Sequence, residues 1–118
     1  MNIEILRNYC LSLKGVTESF PFGEDTLVYK VMGKIFAITG LDNPTTVNLK
    51  CRPEYAIELR EDYPEAIFPG YHMNKKHWNT VSIIDNLPDS FIFSLIDHSY
   101  ELVIAGLPAK IREELKSL

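Results

Sequence analysis

No run of apolar residues in this chain approaches the roughly 20 that cross a bilayer. Its opening segment, MNIEILRNYC, places an acid where an export signal carries a basic head and a greasy stretch. A cytoplasmic protein without a membrane span is therefore expected. Cysteine is nearly absent: Cys10 and Cys51 are the two thiols, and among the reduced thiols of a cytoplasm both are expected to be buried and free. The glycines are scattered singly at turn positions, so no glycine-rich phosphate loop exists. Imidazole is scarce too, with only His72, His77 and His98 available as bases, and none lies in a nucleophile motif. The same shortage argues against a metal. The cysteines are far apart, Cys10 falls on an apolar stripe, and His72 and His77 are spaced to point to opposite faces of an unbroken strand. Neither catalysis nor a metal or other cofactor is expected.

Positive charge is also in short supply, since the net charge is -4, and phosphate binding is driven by basic side chains that displace counterions. The signs are not mixed evenly, however. Residues 26–53 and 66–84 are net positive, while 1–25, 54–65 and 85–118 are net negative. A total of 118 residues, 46% hydrophobic and 24% charged, is enough for one core and too apolar for a disordered chain. A single domain over 1–118 is expected.

Local patterns supply the elements. Ile3, Leu6, Cys10 and Leu13 make one helical stripe, with Asn2 placed to cap it and Gly15 to end it. Glu18 to Phe22 is short, aromatic and holds Pro21, which suits an edge strand or an extended lead-in. Thr26 to Leu41 is rich in β-branched and aromatic residues and is broken by Met32-Gly33-Lys34, which predicts a hairpin. Thr46 to Cys51 alternates so that Val47, Leu49 and Cys51 face one way and Thr46, Asn48 and Lys50 the other. Pro53 opens an acidic helix that Pro64 ends, and His77 to Ile84 reads as another strand. Asp89 is placed to cap a long helix over Ser90 to Ala105, and Pro108 opens a last short one. The sum is an α+β protein: an antiparallel sheet of about five strands with helices packed on one face. The other face must then be solvated or bind something.

One segment stands apart. YHMNKKHWNTV, residues 71 to 81, gathers two lysines, two histidines, two asparagines, a tyrosine and the one tryptophan without an acid. Lys75 and Lys76 can meet phosphates, Asn74 and Asn79 can hydrogen-bond, and Tyr71 or Trp78 can stack on a base, with His72 and His77 alongside. If Val81 and Ile83 face the core, then Trp78, Thr80 and Ser82 lie on the opposite, partly exposed face. Lys30, Lys34, Lys50 and Arg52 from neighbouring segments can join them, giving a basic sheet in front of acidic helices. The bland reading is that Trp78 covers the sheet and the lysines only solubilise it.

Four pieces, YCLSLKGVTESFPFGEDTLVYKVMGKIFAI, VNLKC followed by PE, PGYHMNKKHWNTV and LIDHSYELVIAGLP, together resemble the MmcQ/YjbR family of small bacterial proteins over nearly the whole length. The resemblance implies a compact α+β fold similar to a double-wing arrangement, with DNA binding as the proposed activity and no catalytic residues to carry over. It places the site at Asn74, Lys75, Lys76, His77, Trp78 and Asn79. Arg52 departs from the family pattern, in which an acid often precedes the PE pair and can cap the helix. A DNA-binding protein that uses a basic, aromatic hairpin and strand surface is the resulting expectation. The alternatives are a binding protein for a small anionic ligand, which requires a concave apolar pocket beside Trp78, and a protein-interaction adaptor, which requires an exposed apolar patch.

Overall fold

The computed structural model describes residues 1–70 and 73–118. Helix α1 spans Ile3–Ser12, with the Asn2 side chain accepting from the Ile5 N–H at 2.9 Å as its cap. Strands β1 (Val16–Ser19), β2 (Thr26–Val31), β3 (Lys34–Gly40) and β4 (Thr46–Lys50) follow. Helix α2 (Pro53–Asp62), the short strand β5 (Ile67–Pro69), strand β6 (Trp78–Ser82), and helices α3 (Asp89–Ala105) and α4 (Ala109–Lys116) complete the chain. The hairpin turn between β2 and β3 puts Met32 at φ 49° and Gly33 at φ 84°. Both central residues are left-handed, the geometry that matches the twist of the flanking strands.

All strand pairings are antiparallel, in the order β1-β2-β3-β4-β6-β5. The sheet has six strands where about five were expected, because Ile67–Pro69 pairs with β6 although three residues ending in proline carry almost no strand signal. The first strand likewise lies earlier than expected, ahead of the Phe20-Pro21-Phe22 segment. Asp89 does not cap α3; it is the first helical residue, and Pro88 sits at the cap position without a side-chain bond.

The core fills one side of this sheet. Leu27, Tyr29, Ala37, Val47, Leu49, Ile67 and Val81 point from the strands toward Leu6 and Cys10 of α1, Ala56 and Leu59 of α2, and Ile92, Ile96 and Val103 of α3. Both cysteines are free and buried. Burial pushes the Cys10 thiol up to about 12 and the Cys51 thiol up to about 11. A bulge between Tyr29 and Lys30 shifts the β2–β3 register, so that Phe36 and Ala37, adjacent in sequence, both reach the core.

Four consecutive residues of α3 fasten the layers. Asp97 accepts from the Tyr9 hydroxyl of α1 at 2.6 Å. His98 Nε2 accepts from the Arg52 N–H at 3.2 Å, just ahead of α2. The Ser99 hydroxyl donates to the Phe36 carbonyl at 2.6 Å and accepts from the Lys50 N–H at 2.9 Å, so it bridges β3 and β4. Tyr100 donates to the Lys14 carbonyl at 2.5 Å, beyond the end of α1. Successive helical positions turn by about 100°, so a short run can address this many neighbours. The LIDHSY piece is thus explained as a structural clasp.

Candidate nucleic-acid interface

Strand register decides which side chains share the face that the helices leave open. Directly opposed residues in a sheet point the same way, so one cross-strand row runs Ser19, Val28, Ile38, Asn48, Thr80, Phe68. Thr17, Lys30 and Ile35 align on one side of the β3–β4 boundary, and Lys50 and Trp78 form a separate pair on the other, because β3 and β4 are paired only at Ala37 with Leu49 and Ile38 with Asn48. Likewise Thr26 aligns with Gly40, and Thr46 with Ser82. The strand-parity expectation holds for direction, since Lys50 and Trp78 are direct partners on the helix-free face, but not for exposure: Trp78 is half-buried, while Thr80 and Ser82 on the same face are buried. Among the described residues no strand position on this face is a carboxylate; the acid that reaches it is Asp85, just beyond β6, which accepts from the Ser82 hydroxyl at 2.8 Å. The acid within the strands, Glu18, faces α1 instead, where Arg7 holds it at 2.5 Å and lowers its proton affinity through that bond.

The segment from Met73 to His77 forms a turn at the end of β6. Asn74 organises it: its side chain accepts from the Lys76 N–H at 3.0 Å, and its carbonyl accepts from the His77 and Trp78 N–H groups. The Arg60 guanidinium of α2 donates to the Lys75 carbonyl, which ties the turn to the helix behind it. Lys75 and Lys76 are exposed, whereas His77 and Trp78 are half-buried. Tyr71 and His72 lie outside the described residues.

Not every expected site residue joins this face. Asn79 is buried on the core side, where Oδ1 accepts from Arg60 Nε at 2.7 Å and Nδ2 donates to the Ala56 carbonyl. Its role is to hold α2 against β6, and it is removed from the candidate surface. Lys34 opposes Val31 at the hairpin end and so begins on the helix side. With Lys50 it borders a notch of about 200 Å³ beside Val103 and Gly106, at the end of α3. Arg52 is exposed ahead of α2 and has no side-chain cap bond, as its departure from the family pattern implied. Lys30, Lys50, Trp78 and the 73–77 turn are what the fold brings to one side.

Residue-by-residue sequence reading missed a second part of the face. A groove of about 440 Å³ is floored by Thr26, Ile38, Gly40, Thr46 and Asn48 and walled by Phe22 and Met73. Phe22 is 65% exposed and Phe68, on β5, is 41% exposed. The signal for Phe22 was present as two phenylalanines around a proline in a polar connection. That for Phe68 was hidden because β5 was not recognised as a strand.

A family model for YjbR matches residues 11–102, most of the chain and including both the clasp and the 73–77 turn. The chain belongs to the YjbR family. YjbR of Escherichia coli strain K12 is 35% identical over 119 residues, covering both chains completely, and YbdF of Escherichia coli O157:H7 is 34% identical over 96% of this chain and 93% of its own. Among solved structures, Deinococcus radiodurans protein DR2400 superposes with a TM-score of 0.90 at 39% identity, covering 98% of this chain and 88% of that one. A Pseudomonas syringae protein superposes at 0.72 with 28% identity, covering 86% and 98%. This YjbR-family chain thus shares its α+β fold with both solved relatives.

The titratable groups of the α3 clasp are tuned by packing. Burial, aided by the neighbouring Arg52 charge, lowers the proton affinity of His98, and a neutral ring is what accepting through Nε2 requires. Desolvation and then the bond to Asp97 push the Tyr9 hydroxyl up to about 12. Among the described residues no group of histidine, cysteine or carboxylate side chains is arranged to hold a metal ion, and no helix is long and apolar enough to cross a membrane.

Proposed function

We propose that this YjbR-family chain is a cytoplasmic nucleic-acid-binding protein that works by binding and not by catalysis, through the helix-free face of its sheet. The observation that carries this reading is the charge pattern of that face: Lys30 lies on the β2 side of it, Lys50 pairs directly with Trp78 on the β4–β6 side, and among the described residues no strand position there is acidic. The exposed Lys75 and Lys76 extend the basic surface past the end of β6. A face with cations and a half-buried indole suits a polyanion with planar rings, with lysines at phosphates and Trp78 against a base. The acidic α2, with Glu54, Glu58, Glu61 and Asp62, lies on the opposite side of the sheet and sets the orientation.

The test is a titration of single- and double-stranded oligonucleotides followed by Trp78 fluorescence, with anisotropy of a labelled oligonucleotide in parallel, at low and near-physiological salt. Saturable quenching that weakens as salt rises is the expected result. A flat response from both probes at low salt would discard the reading.

A further inference from the structure

Resting on the nucleic-acid reading above, we infer that the open face is built for a single strand, with one base in the groove between Phe22 and Met73 and neighbouring bases stacked on Phe68 and Trp78. The first argument is width. Six strands at about 4.8 Å spacing span roughly 24 Å, about twice the ~12 Å major groove that a reading element must enter. A duplex laid on this face offers it phosphates alone and keeps its bases from the aromatic side chains.

The second argument is the kind of surface on offer. Phe22, Phe68 and Trp78 all present ring area on the helix-free side, and Phe68 pairs with Thr80, one cross-strand row from Trp78. Rows that share a face are two residues apart along a strand, about 7 Å. That is about twice the roughly 3.4 Å rise per nucleotide of a stacked duplex strand, so the platforms suit bases drawn out of their stack.

The third argument is the groove floor. Its described lining carries hydroxyls at Thr26 and Thr46, an amide at Asn48 and no charge. Asn48 Oδ1 is taken by the Thr80 hydroxyl at 2.6 Å, which leaves the Nδ2 amide to donate. A neutral groove with a donor in its floor and an aromatic and a thioether in its lining has room for a nucleobase and can hydrogen-bond its edge. The cations of the face lie one row away, at Lys50, where the backbone of such a strand would run.

The experiment is anisotropy of a labelled single strand and of the duplex of the same sequence against the wild-type chain and the variants Phe22→Ala, Phe68→Ala and Asn48→Asp. The single strand is expected to bind at least tenfold more tightly than the duplex. Each phenylalanine variant should weaken it by about five- to a hundredfold, the range of one lost stacking contact, with an unchanged salt slope. Both phenylalanines are exposed, so thermal melts should match the wild type. Asn48→Asp keeps an oxygen for Thr80 but replaces the donor with a charge, and should weaken the single strand as well. Equal or tighter duplex binding overturns the inference while leaving the nucleic-acid reading intact, and so does a single-strand preference that all three variants preserve. Failure of both oligonucleotides to bind removes the nucleic-acid reading itself.

Discussion

Removing the Ser99 hydroxyl strands two backbone groups at once, the Phe36 carbonyl and the Lys50 N–H, in a part of the structure where Ser99 is wholly buried. Ser99→Ala is therefore expected to cost about 2–3 kcal/mol, the scale of leaving buried polar groups unpaired. Urea denaturation measures it, and a loss below about 0.5 kcal/mol, the range of ordinary surface substitutions, would mean that the strands close without the bridge. His98, its neighbour, gives a pH dependence. Its folded-state affinity lies below the ordinary value of 6.5, so the unfolded chain takes up the proton more readily. The contribution is fully present above about 6.5 and is lost as pH falls through that value toward the folded pKa. Between pH 8 and 5.5 the urea midpoint of the wild type should fall more than that of His98→Gln, and parallel curves would show that the ring does not titrate on unfolding.

At the scale of elements, the helices and the long strands are legible in the sequence because each carries its own signal. Asn2 caps α1 as its side chain predicts, Pro53 opens α2, and the alternation from Thr46 to Cys51 sorts Lys50 from Leu49 correctly. What was not legible depends on contacts distant in sequence. Strand β5 exists only because β6 supplies its ladder, and Asn79 is claimed by Arg60 of α2, which no local pattern reveals. The site was legible where strand parity governs it, at Lys50 and Trp78, and illegible where it required knowing that the Phe22 connection reaches the groove above β2–β4. The β5–β6 junction yields a prediction of its own. A methyl group at Gly70 would stand 2.8 Å from Trp78 Cβ and 2.9 Å from its carbonyl oxygen, so alanine must push the two strands apart. Gly70→Ala should destabilise the fold by about 1–3 kcal/mol and shift the Trp78 emission maximum. An unchanged melt and spectrum would show that the junction yields freely.

For the whole molecule the decisive quantity is the arrangement of charge and not its sum of -4. Replacing Lys75 and Lys76 by glutamine should lower the log–log salt slope for a bound single strand by about 1.4, at roughly 0.7 per phosphate contact. A slope equal to the wild type would place both lysines outside the interface. The six-stranded sheet also divides along one line. Strands β3 and β4 pair only at Ala37 with Leu49 and Ile38 with Asn48 before Ser99 takes over. On one side of that line lie β1, β2 and β3, on the other β4, β6 and β5, and each trio is contiguous in sequence apart from α2. The chain can therefore complete two local ladders at low loop-closure entropy and join them once, beneath α3. Folding is then expected to end with a docking step at that line, in which case native-state hydrogen exchange should find the Lys50 amide released by an opening of lower free energy than the amides inside either trio.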